Sequence, residues 1–330
     1  MKVLYVGKFT PRHHSDIYIA NAMERSGWNV IRVDCCTLGK KTKSIALQIL
    51  QTTKLHMLFT GKQRVLDESF YNVAKSKKIP VVIWFGDQRG TPSPTWVIKL
   101  ARSADWFLPT NSGQLSYFKS VGAHNVAFWP LAAEPSIFKP MEVTKQDVSL
   151  YRTDVAFTGS NYGKRFPNSG DRLSLIRNLA KHVSVRTYGK GWENKYKLVS
   201  MAPALLEDCA KVLSCAKTSL GINNYFEVRQ YQSHRTWTNM SCGSCFLNRY
   251  EPGLEDIFKD HEHLVFWRTP EELVAVANEY CTNKKRRKAI QLAARQFILS
   301  AHTFDHRIEL LKLFLLRKRS GIVWDQRIES

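Results

Sequence analysis

The chain has 330 residues, 44% apolar and 23% charged, a composition that suits a soluble globular protein with room for two cores. No apolar run approaches the roughly 18 residues a bilayer span needs, and the opening MKVLYVGKF turns polar too soon for a signal peptide. Lysine and arginine number 49 against 28 aspartates and glutamates, and the resulting +21 attracts polyanions at long range, either nucleic acid or an anionic membrane face.

Residues 3–6 read as a strand that Gly7 ends. The loop KFTPRHHSD follows, and Ser15 or Asp16 caps a helix running to Ser26, with Gly27 as its stop. Residues 30–33 make the next strand. This is a Rossmann-like opening without G-x-G-x-x-G, so no dinucleotide cofactor is indicated. A helix at 40–54, a strand at 55–60 and a helix at 68–78 come next. The buried strand 81–85 ends in Gly86, Asp87, Gln88, Arg89 and Gly90. Open α/β sheets hold ligands at that edge, and a carboxylate such as Asp87, tuned upward by desolvation, suits a general base. Residues 91–94 form a proline-rich loop. Helix 96–102, strand 105–109, a helix capped by 110–112 and strand 125–129 complete the first half. The polar, proline-marked stretch 139–153 reads as a boundary.

The second half starts afresh with a strand at 154–157 that runs into T-G-S-N-Y-G-K-R. Gly159 and Gly163 let the backbone approach a ligand, and Lys164 and Arg165 bring positive charge, a sensible cradle for a diphosphate. Helix 172–182 and strand 183–188 lead to Y-G-K-G-W. Helix 204–215 and strand 219–222 lead to Asn223 and Asn224, whose amides reach toward a ligand. Ser233 to Phe258 reads as helix, buried strand at 245–247, loop at Pro252 and Gly253, then a helix opened by Glu255 and Asp256. A carboxylate there accepts hydrogen bonds from ribose hydroxyls. Strand 264–267, a helix at 270–280 capped by Thr269, a helix from the basic run 284–288 to 299, and a last helix at 302–317 follow.

Seven cysteines, odd in number and partly clustered, argue against a disulfide framework and for a reducing cytoplasm. Cys242-x-x-Cys245 and His261-x-His263 have metal-like spacing, but no second cysteine pair accompanies them and Cys245 falls in a buried strand. No metal is expected.

The segment S-x-R-T-W-x-N-x-x-C-G followed by P-G-L-E resembles the donor-site segment of GT-B glycosyltransferases, the spore-maturation (CgeB-like) group in particular. Ser233, Arg235, Trp237, Cys242, Gly243, Pro252, Gly253, Leu254 and Glu255 match that pattern. Thr238 departs from it, standing where the family has a Glu that in related retaining enzymes helps hold the donor's ribose. Gly159, Ser160 and Arg165 match the family's G-S-x(n)-R, and Tyr188, Gly189 and Trp192 its aromatic-glycine turn. The resemblance implies an α/β GT-B fold of two Rossmann-like domains facing each other across a cleft. Residues 1–145 would be the acceptor side, 150–303 the nucleotide-sugar side, and 304–330 a helix returning to the first domain.

The same resemblance implies a metal-independent glycosyltransferase whose co-substrate is a nucleotide-diphosphate sugar, UDP-sugar before others, with no cofactor and no obligate protein partner. The donor set is then Gly159, Ser160, Lys164, Arg165, Tyr188, Gly189, Trp192, Asn224, Ser233, Arg235, Thr238, Gly253, Leu254 and Glu255. In such folds the first loop faces the cleft, which makes His14 and Asp16 catalytic and Arg12 and His13 acceptor candidates; from the carboxyl edge of strand 81–85, Asp87 joins the catalytic and Gln88 and Arg89 the acceptor candidates. Three readings of the acceptor stand open. Charge puts DNA first, as in phage-type enzymes that glycosylate hydroxymethylated pyrimidines. A lipopolysaccharide or lipid-linked glycan at the cytoplasmic membrane face is the second. The third is a catalytically inactive fold kept as a nucleic-acid-binding module.

Overall fold

The structure, a computed structural model, describes residues 1–192 and 199–330. In chain order the strands are β1 (Lys2–Gly7), β2 (Asn29–Asp34), β3 (Met57–Thr60), β4 (Val81–Phe85), β5 (Trp106–Pro109), β6 (Asn125–Ala127), β7 (Thr153–Thr158), β8 (Val185–Tyr188), β9 (Val199–Met201), β10 (Ala216–Gly221), β11 (Cys245–Arg249), β12 (Val265–Trp267) and β13 (Arg327–Ile328). They form two sheets, ordered β13-β6-β5-β4-β3-β1-β2 and β12-β11-β10-β7-β8-β9. Every pairing is parallel except β13 with β6. This is the α/β class expected from the alternation of apolar runs and amphipathic stretches.

The apolar runs explain the sheets. All four residues of β3, five of β4 and four of β5 are buried, because a parallel strand with helices over both faces has no solvent side. The chain divides into a unit of residues 1–131 and 304–330 and a unit of 132–303. The polar stretch 139–153 lies in the second unit. Its Thr144 and Asp147 form a reciprocal capping box that starts the helix Lys145–Tyr151, so local hydrogen bonding makes helix where composition alone suggested linker.

The first unit is closed by the end of the chain. Arg307 on the helix Phe304–Leu315 is buried, and its Nε and Nη2 donate to the Pro130 and Leu131 carbonyls at 3.1 and 3.3 Å. The Trp129 indole returns a hydrogen bond to the Arg307 carbonyl at 2.9 Å. No helix among the described residues is long and apolar enough to cross a membrane.

Candidate functional site

In the second unit the chain steps from β7 through β8 to β9 on one side and from β10 through β11 to β12 on the other. The crevice at the carboxyl ends of β7 and β10 is therefore the topological switch point, where open α/β sheets hold ligands. Two arginines converge there. Arg172, on the helix Ser169–Leu179, donates from Nη1 to Ser160 O at 2.6 Å and from Nη2 to Ile222 O at 2.8 Å. Arg235, on the helix His234–Ser241, donates from Nε to Thr158 O at 2.7 Å and from Nη1 to Ile222 O at 3.3 Å. Both guanidiniums lie on the Phe157 ring, 5.3 and 4.6 Å from its centroid.

Neither arginine has a carboxylate partner among the described residues. Burial, and secondarily repulsion from Arg235, pulls Arg172 down to about 9, and burial pulls Arg235 down to about 10. Each guanidinium has five N–H donors and spends only part of them on carbonyls; the Arg172 Nε is buried without any hydrogen-bond partner. Two desolvated cations side by side, with donors to spare and no counter-charge, make a site that an anion would complete.

The glycines at this edge permit its close backbone packing. A Cβ on Gly159 would lie 2.4 Å from Arg235 Nη2, and one on Gly189 would lie 2.3 Å from Gly159 O. Trp192 is fully buried against Phe157 and donates its indole N–H to Gly159 O at 2.6 Å, while Tyr188 is buried in a cluster with Ala156, Val212 and Ala216. Both rings are core, and neither offers a face to a base. Ser160 Oγ accepts from Lys190 N at 3.2 Å, which fastens the two turns together. Lys164 and Arg165 are exposed, with Arg165 over the Phe166 ring. The positive charge at the switch point itself is that of Arg172 and Arg235.

The rest of the expected donor set surrounds the same sheet edge less directly. Ser233 is the N-cap position of the Arg235 helix. The Asn224 carbonyl accepts from Asn168 N at 3.1 Å, and its side-chain Oδ1 is buried without a partner. Gly253 adopts φ +79°, which glycine allows at little cost. Glu255 and Asp256 do not open a regular helix. Leu254–Asp256 is one turn of 3₁₀ helix, because Leu254, Ile257 and Phe258 go into the core and the chain then turns back at residues 259–264. Leu254 is fully buried, Glu255 is exposed, and Asp256 pairs with Arg229.

The first unit has its own switch point, between β1 and β3, since β1 steps outward to β2 while β3 leads to β4, β5 and β6. The residue seated there is Asp16, in the first turn of the helix Ser15–Arg25. It is 7% exposed and packs between two backbones, so that a Cβ on Gly61 would lie 2.7 Å and one on Gly7 3.1 Å from its Oδ1. Tyr5 Oη donates to Oδ1 at 2.7 Å and Lys8 N to Oδ2 at 3.0 Å. Burial raises its pKa, opposed by those hydrogen bonds and by the charges of Lys8 and Lys62. Lys62 is pulled down to about 8 by burial and by Arg89 and Lys8.

The other first-unit candidates spread around that carboxylate. Asp87 is half-buried, and its Oδ2 is ion-paired with both Lys62 and Arg89, the latter at 3.0 Å, so that oxygen is committed to cations. Gln88 is buried, giving its N–H to Arg89 O and taking one from Asn111 at 2.6 Å; it builds the loop rather than facing an acceptor. His14 is the N-cap position, its pKa lowered by burial and by His13, while His13 and Arg12 are exposed.

Residues 172–312 match the family model described as glycosyl transferase-like. Solved structures match nearly the whole chain. A glycosyltransferase from Rickettsia africae ESF-5 superposes with a TM-score of 0.68 at 10% identity, over 97% of this chain and 99% of that one. Anabaena Alr3699/HepE, in complex with UDP-glucose, gives 0.67 at 12% identity over 96% and 100%. The lipopolysaccharide outer core galactosyltransferase WaaB gives 0.61 at 11% identity over 96% and 100%. The fold is GT-B. No curated protein sequence matches the chain.

Within the GT-B fold the departure at Thr238 takes a definite form. Its side chain is 5% exposed and its hydroxyl turns to the Arg235 carbonyl of its own helix at 3.2 Å. The metal-like spacings are accounted for by packing: burial pushes the Cys245 thiol up to about 12 and raises that of Cys242 as well. His261 Nδ1 sits 2.7 Å from Tyr280 Oη, and the His263 ring stacks 3.9 Å from Phe297.

Proposed function

We propose that the protein transfers a sugar from a UDP-sugar to a hydroxyl acceptor presented at an anionic membrane face. The observation that carries the donor half is the Arg172–Arg235 pair at the β7/β10 switch point, one cation buried and one half-buried, without a carboxylate partner among the described residues. The diphosphate of a nucleotide sugar has the charge and the lone pairs to satisfy them. UDP is the nucleotide in the HepE complexes of the same fold.

In the transfer step the acceptor oxygen bonds to the sugar's C1 as the bond from C1 to the diphosphate oxygen breaks. The electron pair leaves with UDP, and the two guanidiniums stabilise that growing charge. The acceptor's hydroxyl proton needs a base. Asp16 fits that role better than Asp87, because it is desolvated and held by neutral donors rather than clamped between two cations.

For the acceptor, the specific observation lies in residues 316–323 of the first unit. Leu316, Ile322 and Val323 are 63%, 50% and 37% exposed, and Arg317, Lys318 and Arg319 stand among them. Glu329 and Asp325 offset part of that charge. Exposed aliphatics beside cations suit a lipid headgroup layer, where each cation contributes about 1 kcal/mol. DNA has no use for the aliphatics, and its case rests on the net +21 alone.

The test uses a panel of UDP-sugars with a glycolipid acceptor in anionic vesicles, against hydroxymethylated DNA. Mass analysis of both acceptors decides between them. Modified lipid, with transfer unaffected by excess competitor DNA, supports the reading. Modified DNA and unmodified lipid would overturn the membrane half. Hydrolysis or transfer with no nucleotide sugar in the panel would overturn the donor half.

A further inference from the structure

A groove of about 400 Å³ opens at the amino edge of the first sheet, where Pro80, Asp105 and Asn125 stand at the starts of β4, β5 and β6. Two helices end at it, and each ends on a cation. The helix Glu68–Ser76 closes in a Schellman turn: Lys78 N donates to Lys75 O at 2.8 Å and Ile79 N to Ala74 O at 3.0 Å, with Lys78 at φ +57°. The helix Phe304–Leu315 closes the same way. Arg317 N donates to Phe314 O at 3.0 Å and Lys318 N to Leu313 O at 2.9 Å, with Arg317 at φ +53°. Glycine is the residue least strained in that left-handed position. Here both helices put a long cation there, and Lys75, Lys78 and Arg317 all line the groove.

Charge in the groove is unbalanced. Lys75 and Lys78 are exposed and pair with no carboxylate among the described residues. Arg317 lies 3.9 Å from Glu329 and 3.5 Å from Ser330 O. Asp105 is the acidic lining residue, and its Oδ2 accepts from Val81 N at 2.7 Å. The border of the groove is apolar. Leu316, between the lining residues Leu315 and Arg317, is 63% exposed, and Ile322 and Val323 are 50% and 37% exposed. Free phosphate and a nucleic-acid backbone make no use of aliphatics. A phospholipid brings a phosphate for the cations and hydrocarbon for the leucine and its neighbours.

The groove lies apart from the proposed base. Asp16 packs on Gly61, level with Trp84 just beyond the Thr60–Ile83 pair, whereas the groove begins at Pro80. Four steps along β4, at about 3.3 Å each, separate those levels. We propose that this groove binds the phosphate headgroup of an anionic lipid and anchors the protein at a place separate from the acceptor's hydroxyl. This rests on the membrane half of the proposed function.

The experiment is cosedimentation of the full-length protein, Lys75→Gln and Lys78→Gly with phosphatidylcholine vesicles, with and without phosphatidylglycerol. Thermal melting and calorimetric titration of UDP accompany it. The wild type should bind only vesicles that contain phosphatidylglycerol, and each variant should bind them about fivefold more weakly. Lys78→Gly relaxes the left-handed position, so it should melt no lower than the wild type, and both variants should keep their UDP affinity. If Lys78→Gly does melt lower, Lys75→Gln decides alone, since its exposed side chain has no packing to lose. Variants that bind vesicles as the wild type does overturn the groove and leave the membrane reading standing. A wild type indifferent to phosphatidylglycerol overturns both. Release from the vesicles by soluble glycerol phosphate or by competitor DNA would make the groove a site for those anions and overturn the lipid.

Discussion

The two switch points share a topology and differ in the sign of the charge they bury. At the β7/β10 edge two guanidiniums sit against carbonyls, with no carboxylate among the described residues to answer them. At the β1/β3 edge a carboxylate sits between two glycines, with lysines at its rim. A sheet edge fixes where ligands go, and a handful of side chains fixes what goes there. Under the proposed transfer these would be complementary duties, a leaving group's negative charge for the first and a proton for the second.

The comparison breaks first at Asp16. Asp16→Asn should lower turnover by about 10²–10⁴-fold and leave UDP binding unchanged. A base must be ionised to act, and burial raises the pKa of Asp16. Wild-type activity should therefore rise with pH on a limb above the ordinary carboxylate range, and Asp16→Asn should lack that limb. Full activity with the limb intact would return the role to Asp87.

Next in size is the cation pair. Arg172→Met keeps an apolar stem against Phe157 and removes the charge. Turnover should fall by about 10²–10³-fold and UDP should bind more weakly, as for the loss of one donor to a developing anion. Because Arg172 also secures Ser160 and Ile222, circular dichroism and thermal melting should accompany the assay. A folded variant with unchanged UDP affinity would strip the pair of its role.

The smallest effect is expected at Arg165. Arg165→Ala removes an exposed side chain that only covers Phe166, so rate and affinity should change by about twofold or less. A loss as large as that of Arg172→Met would restore the cradle to Lys164 and Arg165 and shrink the contrast between the two edges.

The strands were legible because each is a short apolar run bounded by turn residues, and 81–85 is found where the sequence puts it. The motifs drew attention to Arg235 and Gly159, and the structure puts both at one sheet edge. Arg172 belongs to no motif, yet a signal was present: it shares the buried helix face with Leu175, Ile176 and Leu179, at spacings of three, four and seven. An arginine on an apolar stripe is unexpected unless something holds it. Tyr188 and Trp192 left both readings open, since an aromatic beside a glycine turn reads the same whether it packs inward or faces a ligand, and both rings are buried. The short turn at Leu254–Asp256 was hidden because burial of Leu254, Ile257 and Phe258 decides that loop, and no local spacing records it.

The first unit is interrupted in sequence: residues 132–303 come between β6 and the helix and strand that complete its sheet. On a ribosome adding 5–20 residues per second, roughly ten to thirty seconds separate the two halves. During that interval β6 is an unpaired edge, and the carbonyls of Pro130 and Leu131 await Arg307. The second unit is contiguous and can be finished while the first is still waiting. A nascent chain of this protein therefore has a vulnerable period set by gene order, and a shortage of chaperones or a loss of the last 27 residues, 304–330, should show first as aggregation of the first unit.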